Sequence, residues 1–182
     1  MILSELLWQI NSTTGSSLWT YFFILFQLHF TTREKTFFEK YSQMSRSKQG
    51  LAGAGEWKTL EPLLPDFSGK TVLDLGCGYG WHCIYAAEHG AKQVIGIDIS
   101  DRMLAVAREK THFEQVEYRC TAIEDAQFEE NSFDIVLSSL ALHYIESFDM
   151  VAKQVSRFLK PGGTFPVSYT HLRAHETRGN LV

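Results

Sequence analysis

Glycines at alternate positions 76, 78 and 80 fall between an apolar run and a stretch of helix-forming residues. No other feature constrains the chain as much. Alternate glycines let the backbone turn tightly and approach a ligand without side-chain obstruction. The helix that follows offers unpaired N–H groups to a polar or anionic part of that ligand. A dinucleotide loop of the GxGxxG type opens in the same way, but its third glycine would stand where this chain has Trp81. An indole there is expected to obstruct the close helix–strand approach that the glycine permits. A NAD(P)-dependent oxidoreductase on a Rossmann sheet is therefore the disfavoured alternative.

Strands are expected at residues 70–75, 93–98, 116–120 and 133–138, and helices at 81–89, 101–111 and 148–160. Upstream, residues 33–48 read as one polar helix, with Phe37, Phe38, Tyr41 and Met44 at helical spacing. A glycine-containing break follows, then a short helix at 56–64 stopped by Pro65. Alternating strands and helices of these lengths argue for βαβ units and a parallel sheet. The strands (TVLDL, VIGID, FDIVL) are apolar nearly throughout, as strands covered on both faces are. The expected class is α/β: a Rossmann-like, doubly wound, mostly parallel sheet with helices on both faces.

Asp98 stands 22 residues after Gly76 (98 − 76), at the expected end of the second strand. A carboxylate there can accept both hydroxyls of a ribose, as in nucleoside-binding α/β folds. The alternative is a plain strand-end acid. Ser100 suits the N-cap of the next helix.

The segments LDLGCGYG, VIGIDIS, ENSFDIVLSSLALHYI and LKPGG, in that order, resemble the successive motifs of class I S-adenosylmethionine-dependent methyltransferases. The resemblance is closest to the small-molecule group labelled methyltransferase type 11, and it runs from about residue 37 to 165. It implies S-adenosyl-L-methionine as cofactor and a small-molecule methyl acceptor. By it, the loop of Gly76, Cys77 and Gly78 would pass the methionine part, and Asp74 would help position the ammonium. Asp98 would hold the ribose, and Ile99 and Met103 would line the adenine. Ala122 and Ile123, with Glu124 nearby, match the loop that meets the adenine edge, although many relatives carry Asp where Ala122 stands. Ser138 matches a position facing the methionine moiety. Tyr41 and Arg46 would lie on a helix that lids the cofactor, or would simply pack.

A sulfonium is already a good leaving group, so methyl transfer needs mainly alignment and exclusion of water; proximity can supply on the order of 7–11 kcal/mol. A base is required only where the nucleophile must lose a proton. His143 is the candidate, since imidazole titrates near neutral pH, with Tyr144 and Glu146 behind it. The alternative is a histidine that packs or caps a short helix.

The remaining features narrow the partners. A net charge of −4 and a pI near 6.0, with Lys and Arg spread along the chain, give no basic footprint for nucleic acid. Three cysteines without a CxxC pair argue against a disulfide framework and a thiol zinc site, and fit a reducing, cytoplasmic setting. His82 and His89 lie seven residues apart, too far for a helical zinc pair, so no metal is expected. No GxSxG hydrolase elbow is present.

Residues 18–30 form an apolar run of 13, short of the roughly 20 needed to span a bilayer. They are expected to be an anchor, a partner-binding segment or a spurious upstream stretch, with the methyltransferase domain at 33–165. At the other end, Thr164 and Phe165 would begin a fifth strand, and Pro166 enters where a ladder N–H would be wanted. The tail from 166 to 182 resembles translated adapter sequence, and His171, Arg173, His175 and Arg178 are expected to be non-functional. A chain that stops before its sheet is complete would leave an open edge. An inert cofactor-binding fragment is thus a third reading.

Overall fold

In the computed structural model, which describes residues 38–168, the apolar stretches pair side by side. The strands are β1 (Thr71–Leu75), β2 (Gln93–Asp98), β3 (Val116–Cys120), β4 (Phe133–Ser139), β5 (Leu159–Thr164) and β6 (Val167–Ser168). Their order is β3-β2-β1-β4-β5, and β6 pairs with the C-terminal end of β4. All pairings are parallel.

Period-two alternation splits the core into two layers. Val72, Val94, Ile135 and Leu137 point to one side and pack with Cys83, Ala86 and Ala87 of α3 (Trp81–Glu88) and Leu104 and Ala107 of α4 (Asp101–Lys110). Leu73, Leu75, Ile95, Ile97 and Val136 point to the other and meet Val151, Val155 and Phe158 of α5 (Phe148–Phe158). Those three residues sit at i, i+4 and i+7, the stripe a helix needs to cover a sheet. The sheet is thus wrapped on both faces, as its apolar strands require. Ser100 and Ser147 cap α4 and α5, each accepting the amide three residues on.

The N-terminal helices differ from expectation. Residues 38–42, the described part of the first compact unit, are helical. Met44 is extended (φ −66°, ψ 148°), and a separate helix α1 (Ser45–Gln49) begins after it. The chain then folds back on itself: a side chain at Gly53 would run into the Ser45 carbonyl, and Arg46 pairs with Glu56 at 3.1 Å. These contacts between distant positions override a helical pattern that periodicity alone would prolong. The expected helix at 56–64 is shortened to α2 (Trp57–Leu60), which tightens into a 3-10 turn at Glu61–Leu63, where Pro62 has no N–H to give.

The fifth strand also differs. Lys160, expected in the last helix, belongs to β5, and β5 is irregular: Phe133 faces Leu159 and Ile135 faces Thr164, so β4 advances two residues while its partner advances five. The Pro161-Gly162-Gly163 excursion occupies the difference. Pro166 does not end the sheet. Its carbonyl accepts the Ser138 amide at 3.0 Å, a bond that needs no proline N–H, and Val167 and Ser168 continue along β4. The apolar run at 18–30 and the four tail residues from His171 to Arg178 lie outside the described residues. Among the described residues, no helix is long and apolar enough to cross a membrane.

Candidate functional site

The loops leaving β1, β2 and β3 converge at the C-terminal edge of the sheet, and Asp98 joins all three. Its Oδ2 accepts the Gly78 amide at 2.9 Å, its Oδ1 accepts the Ser100 amide at 2.9 Å, and its carbonyl accepts the Thr121 amide at 3.0 Å. The amides of Gly76 and Cys77 both donate to the Ile97 carbonyl at 2.9 Å, anchoring the start of the glycine loop to β2. Asp98 is half-buried, and a carboxylate oxygen can accept more than one hydrogen bond.

Gly76 shows why the loop requires glycine. It sits at φ +77°, and a side chain there would overlap Ala141 and touch Ile123 at 3.6 Å. The loops after β3 and β4 thus close over Gly76 from both sides. Leu140, just before Ala141, is itself left-handed (φ 56°), a strained setting for leucine that turns Ala141 onto the loop.

Alternation explains Asp74. It shares a face with Val72, so it lies beneath α3, 1% exposed, and Cys83 Sγ donates to its Oδ2 at 3.3 Å. Burial pushes the Asp74 carboxyl up to about 7; the Cys83 bond and Arg46 pull it down, and Asp98 pushes it up. Burial likewise raises the thiols of Cys77 and Cys83. Both sulfurs lie against Gly96, where a side chain would come within 2.8 Å of Cys83 Sγ and 2.9 Å of Cys77 Sγ.

The other sequence-predicted positions spread around this centre. Ile99, beside Asp98, is 61% exposed, an apolar face left open to solvent, whereas Met103 is buried. Ala122 and Ile123 are partly buried, and Ile123 lies against Gly76. Ser138 is buried, and its hydroxyl donates to the Leu75 carbonyl at 2.9 Å where β1 ends. His143 is exposed on the 3-10 turn Leu142–Tyr144, its ring 4.0 Å from that of Tyr144. Trp81 directs its indole toward Gly50 and lies under the Lys110 ammonium at 5.1 Å, rather than wedging α3 from the sheet. The close approach is carried instead by Gly96.

Sequence reasoning missed a polar cluster beside the loop. Arg46 Nη1 pairs with Glu56 Oε1 at 3.1 Å, and the Ser139 hydroxyl reaches the same oxygen at 3.4 Å. His82, 5% exposed, packs beside Trp57; burial, then Arg46, lowers its pKa to about 4, so the ring is neutral. No local sequence signal marks this cluster, whose members come from positions 46, 56, 82 and 139. An apolar groove of about 300 Å³ lined by Leu60, Leu63, Pro65 and residues 164–167 lies apart from these loops.

The methyltransferase domain model matches residues 73–167, just over half of the chain. A solved structure described as an S-adenosylmethionine-dependent methyltransferase from Listeria monocytogenes is 61% identical, with a TM-score of 0.61 over 62% of this chain and 53% of that one. A second, from Mesorhizobium loti, is 43% identical with a TM-score of 0.62 over 64% of this chain and 53% of that one. A ubiquinone biosynthesis O-methyltransferase of Neisseria meningitidis is 32% identical over 141 residues, 65% of this chain and 59% of the relative. The chain therefore spans little more than half the length of these relatives.

Proposed function

The chain belongs to the methyltransferase domain family, and from that premise we propose that it binds S-adenosyl-L-methionine at the converging loops and transfers its methyl group to a small molecule. The observation that carries this reading is Asp98: a half-buried carboxylate at the end of β2 that fastens the Gly78 amide and stands next to the open apolar face of Ile99. The residues present fit the cofactor in three parts. Asp98 takes the ribose hydroxyls, Ile99 with Ala122 and Ile123 takes the adenine, and the loop of Gly76, Cys77 and Gly78 passes the amino-acid part. Asp74 under that loop supplies negative charge toward the ammonium. Met103 and Ser138, both buried, support the adenine side and the end of β1 respectively.

When bound, the cofactor supplies a methyl group on a sulfonium, already activated for displacement. The residues of this chain bind, orient and exclude water, which is where the rate acceleration in such a transfer arises. His143 is the group proposed to take the proton from an acceptor that must lose one, from its exposed turn beyond Ala141.

The test is calorimetric titration with S-adenosylhomocysteine. Micromolar binding that is lost in Asp98→Ala, with no binding of NADH, supports the reading. No binding by the folded chain removes it. Turnover with a panel of small oxygen and nitrogen nucleophiles separates an active enzyme from a domain that only binds.

A further inference from the structure

The loop that follows β3 is tied to β2 on one side and to α5 on the other. Its first residue, Thr121, donates its amide to the Asp98 carbonyl at 3.0 Å, and Ile123 lies against Gly76. On the far side, Gln154 of α5 donates through Nε2 to the Glu124 carbonyl at 3.2 Å and the Ala126 carbonyl at 2.6 Å. The Glu124 side chain makes a further link, its Oε1 accepting the Glu146 amide at 3.3 Å. Glu146 stands immediately before Ser147, the N-cap of α5, and three residues after His143. A carboxylate that accepts a backbone amide makes a charge-assisted bond, and the start of a helix favours negative charge.

The turn that carries His143 is thus held at both ends. Leu142 is 3% exposed, and Ile145 packs against the same apolar cluster as Ile123 and Ala126. His143 and Tyr144, between them, are exposed. Resting on the cofactor reading above, we infer that Glu124 is a positioning residue that transmits the seating of residues 121–126 to the turn presenting His143. The cofactor fastens the loop, the loop fixes Glu124, and Glu124 fixes the Glu146 end of the turn. An exposed backbone bond opens at low cost, so the Glu146 bond is the link that a bound ligand can strengthen. The acceptor side is therefore set once the cofactor is in place, and the binding order is cofactor first, acceptor second.

The experiment measures amide hydrogen exchange residue by residue on the full chain, with and without saturating S-adenosylhomocysteine. Its readout is the factor by which the ligand slows the amides of residues 143–145. Coupling between two sites amounts to about 5- to 150-fold. Wild type is expected to show slowing in that range at the turn, together with slowing at residues 121–126. Glu124→Ala is expected to keep the slowing at 121–126 and to lose it at 143–145. Because coupling is reciprocal, its affinity for S-adenosylhomocysteine should fall by no more than the same factor. Glu124→Gln keeps an oxygen that can accept the Glu146 amide and is expected to restore the effect at the turn. A Glu124→Ala turn that exchanges faster throughout, yet is slowed by the ligand as in wild type, overturns the inference and leaves Glu124 a structural residue. A wild-type turn that the bound ligand leaves unchanged also overturns it. If Glu124→Ala does not fold by circular dichroism, Glu124→Asp, one methylene shorter, carries the comparison and is expected to show reduced slowing; full slowing overturns the inference. Wild type that does not bind S-adenosylhomocysteine removes the cofactor reading itself, an outcome distinct from binding without an effect on the turn.

Discussion

The Asp98 carboxylate and the Gly78 amide lie 2.9 Å apart, joining the end of β2 to the middle of the glycine loop across 20 residues of sequence. The acid that would bind the ribose is therefore also the acid that shapes the loop. Asp98→Ala leaves the Gly78 and Ser100 amides without that partner and is expected to cost about 2 kcal/mol of stability, read by urea denaturation. Affinity for S-adenosylhomocysteine is expected to fall by about two orders of magnitude. Asp98→Asn, which keeps one acceptor oxygen, should fall between the two. A stable Asp98→Ala variant that binds normally would refute both roles.

Gly76→Ala should destabilise the chain for two separable reasons. The left-handed backbone costs about 1–2 kcal/mol for a residue with a side chain, and the new methyl overlaps Ala141. Adding Ala141→Gly relieves the overlap and leaves the backbone strain. The double variant should therefore recover part of the loss in urea denaturation, and no recovery would mean that Ala141 already yields.

Acid stability should expose two opposed groups. Asp74, raised from 3.8 to about 7, favours the fold as pH falls from about 7 toward 3.8 and weakens it above that window. His82, lowered from 6.5 to about 4, supports the fold fully above 6.5 and loses that support as pH falls toward 4. Between those limits the slopes oppose, each at most about 1.4 kcal/mol per pH unit. Relative to wild type, Asp74→Asn should lose stability more steeply on acidification and His82→Gln less steeply. Denaturation midpoints measured between about pH 4.5 and 6.5 check the sign, and parallel slopes in all three proteins would contradict it.

His143→Ala tests the proposed base. Because the residue is exposed on a turn, its loss should leave folding and S-adenosylhomocysteine affinity unchanged while turnover drops about 10²- to 10⁴-fold. Unchanged turnover would remove His143 from the chemistry.

The sheet was legible because its signals are local. The expected bounds of β2 and β3 match, β1 and β4 differ by one residue each, and α3 begins at Trp81 as the glycines require. Ser100 capped its helix where a serine before an apolar-periodic stretch should. What the sequence did not disclose depends on partners far apart. Arg46, Glu56 and Ser139 are separated by 10 and 83 residues (56 − 46, 139 − 56), so no window contains their cluster. The break at Met44 has the same cause, since the pairing that bends the chain lies outside the periodic stretch. In β5 the Pro-Gly-Gly composition reads as a turn, and only the neighbouring β4 gives that excursion a strand on either side.

The thiols of Cys77, in the glycine loop, and Cys83, on α3, both rest buried against Gly96. A thiol so enclosed reacts only when its cover opens, because reagents need access and a thiolate. These two cysteines are therefore built-in clocks for the breathing of the loop: the rate at which an alkylating reagent labels them counts how often the loop lifts, and a ligand that fastens the loop slows the count.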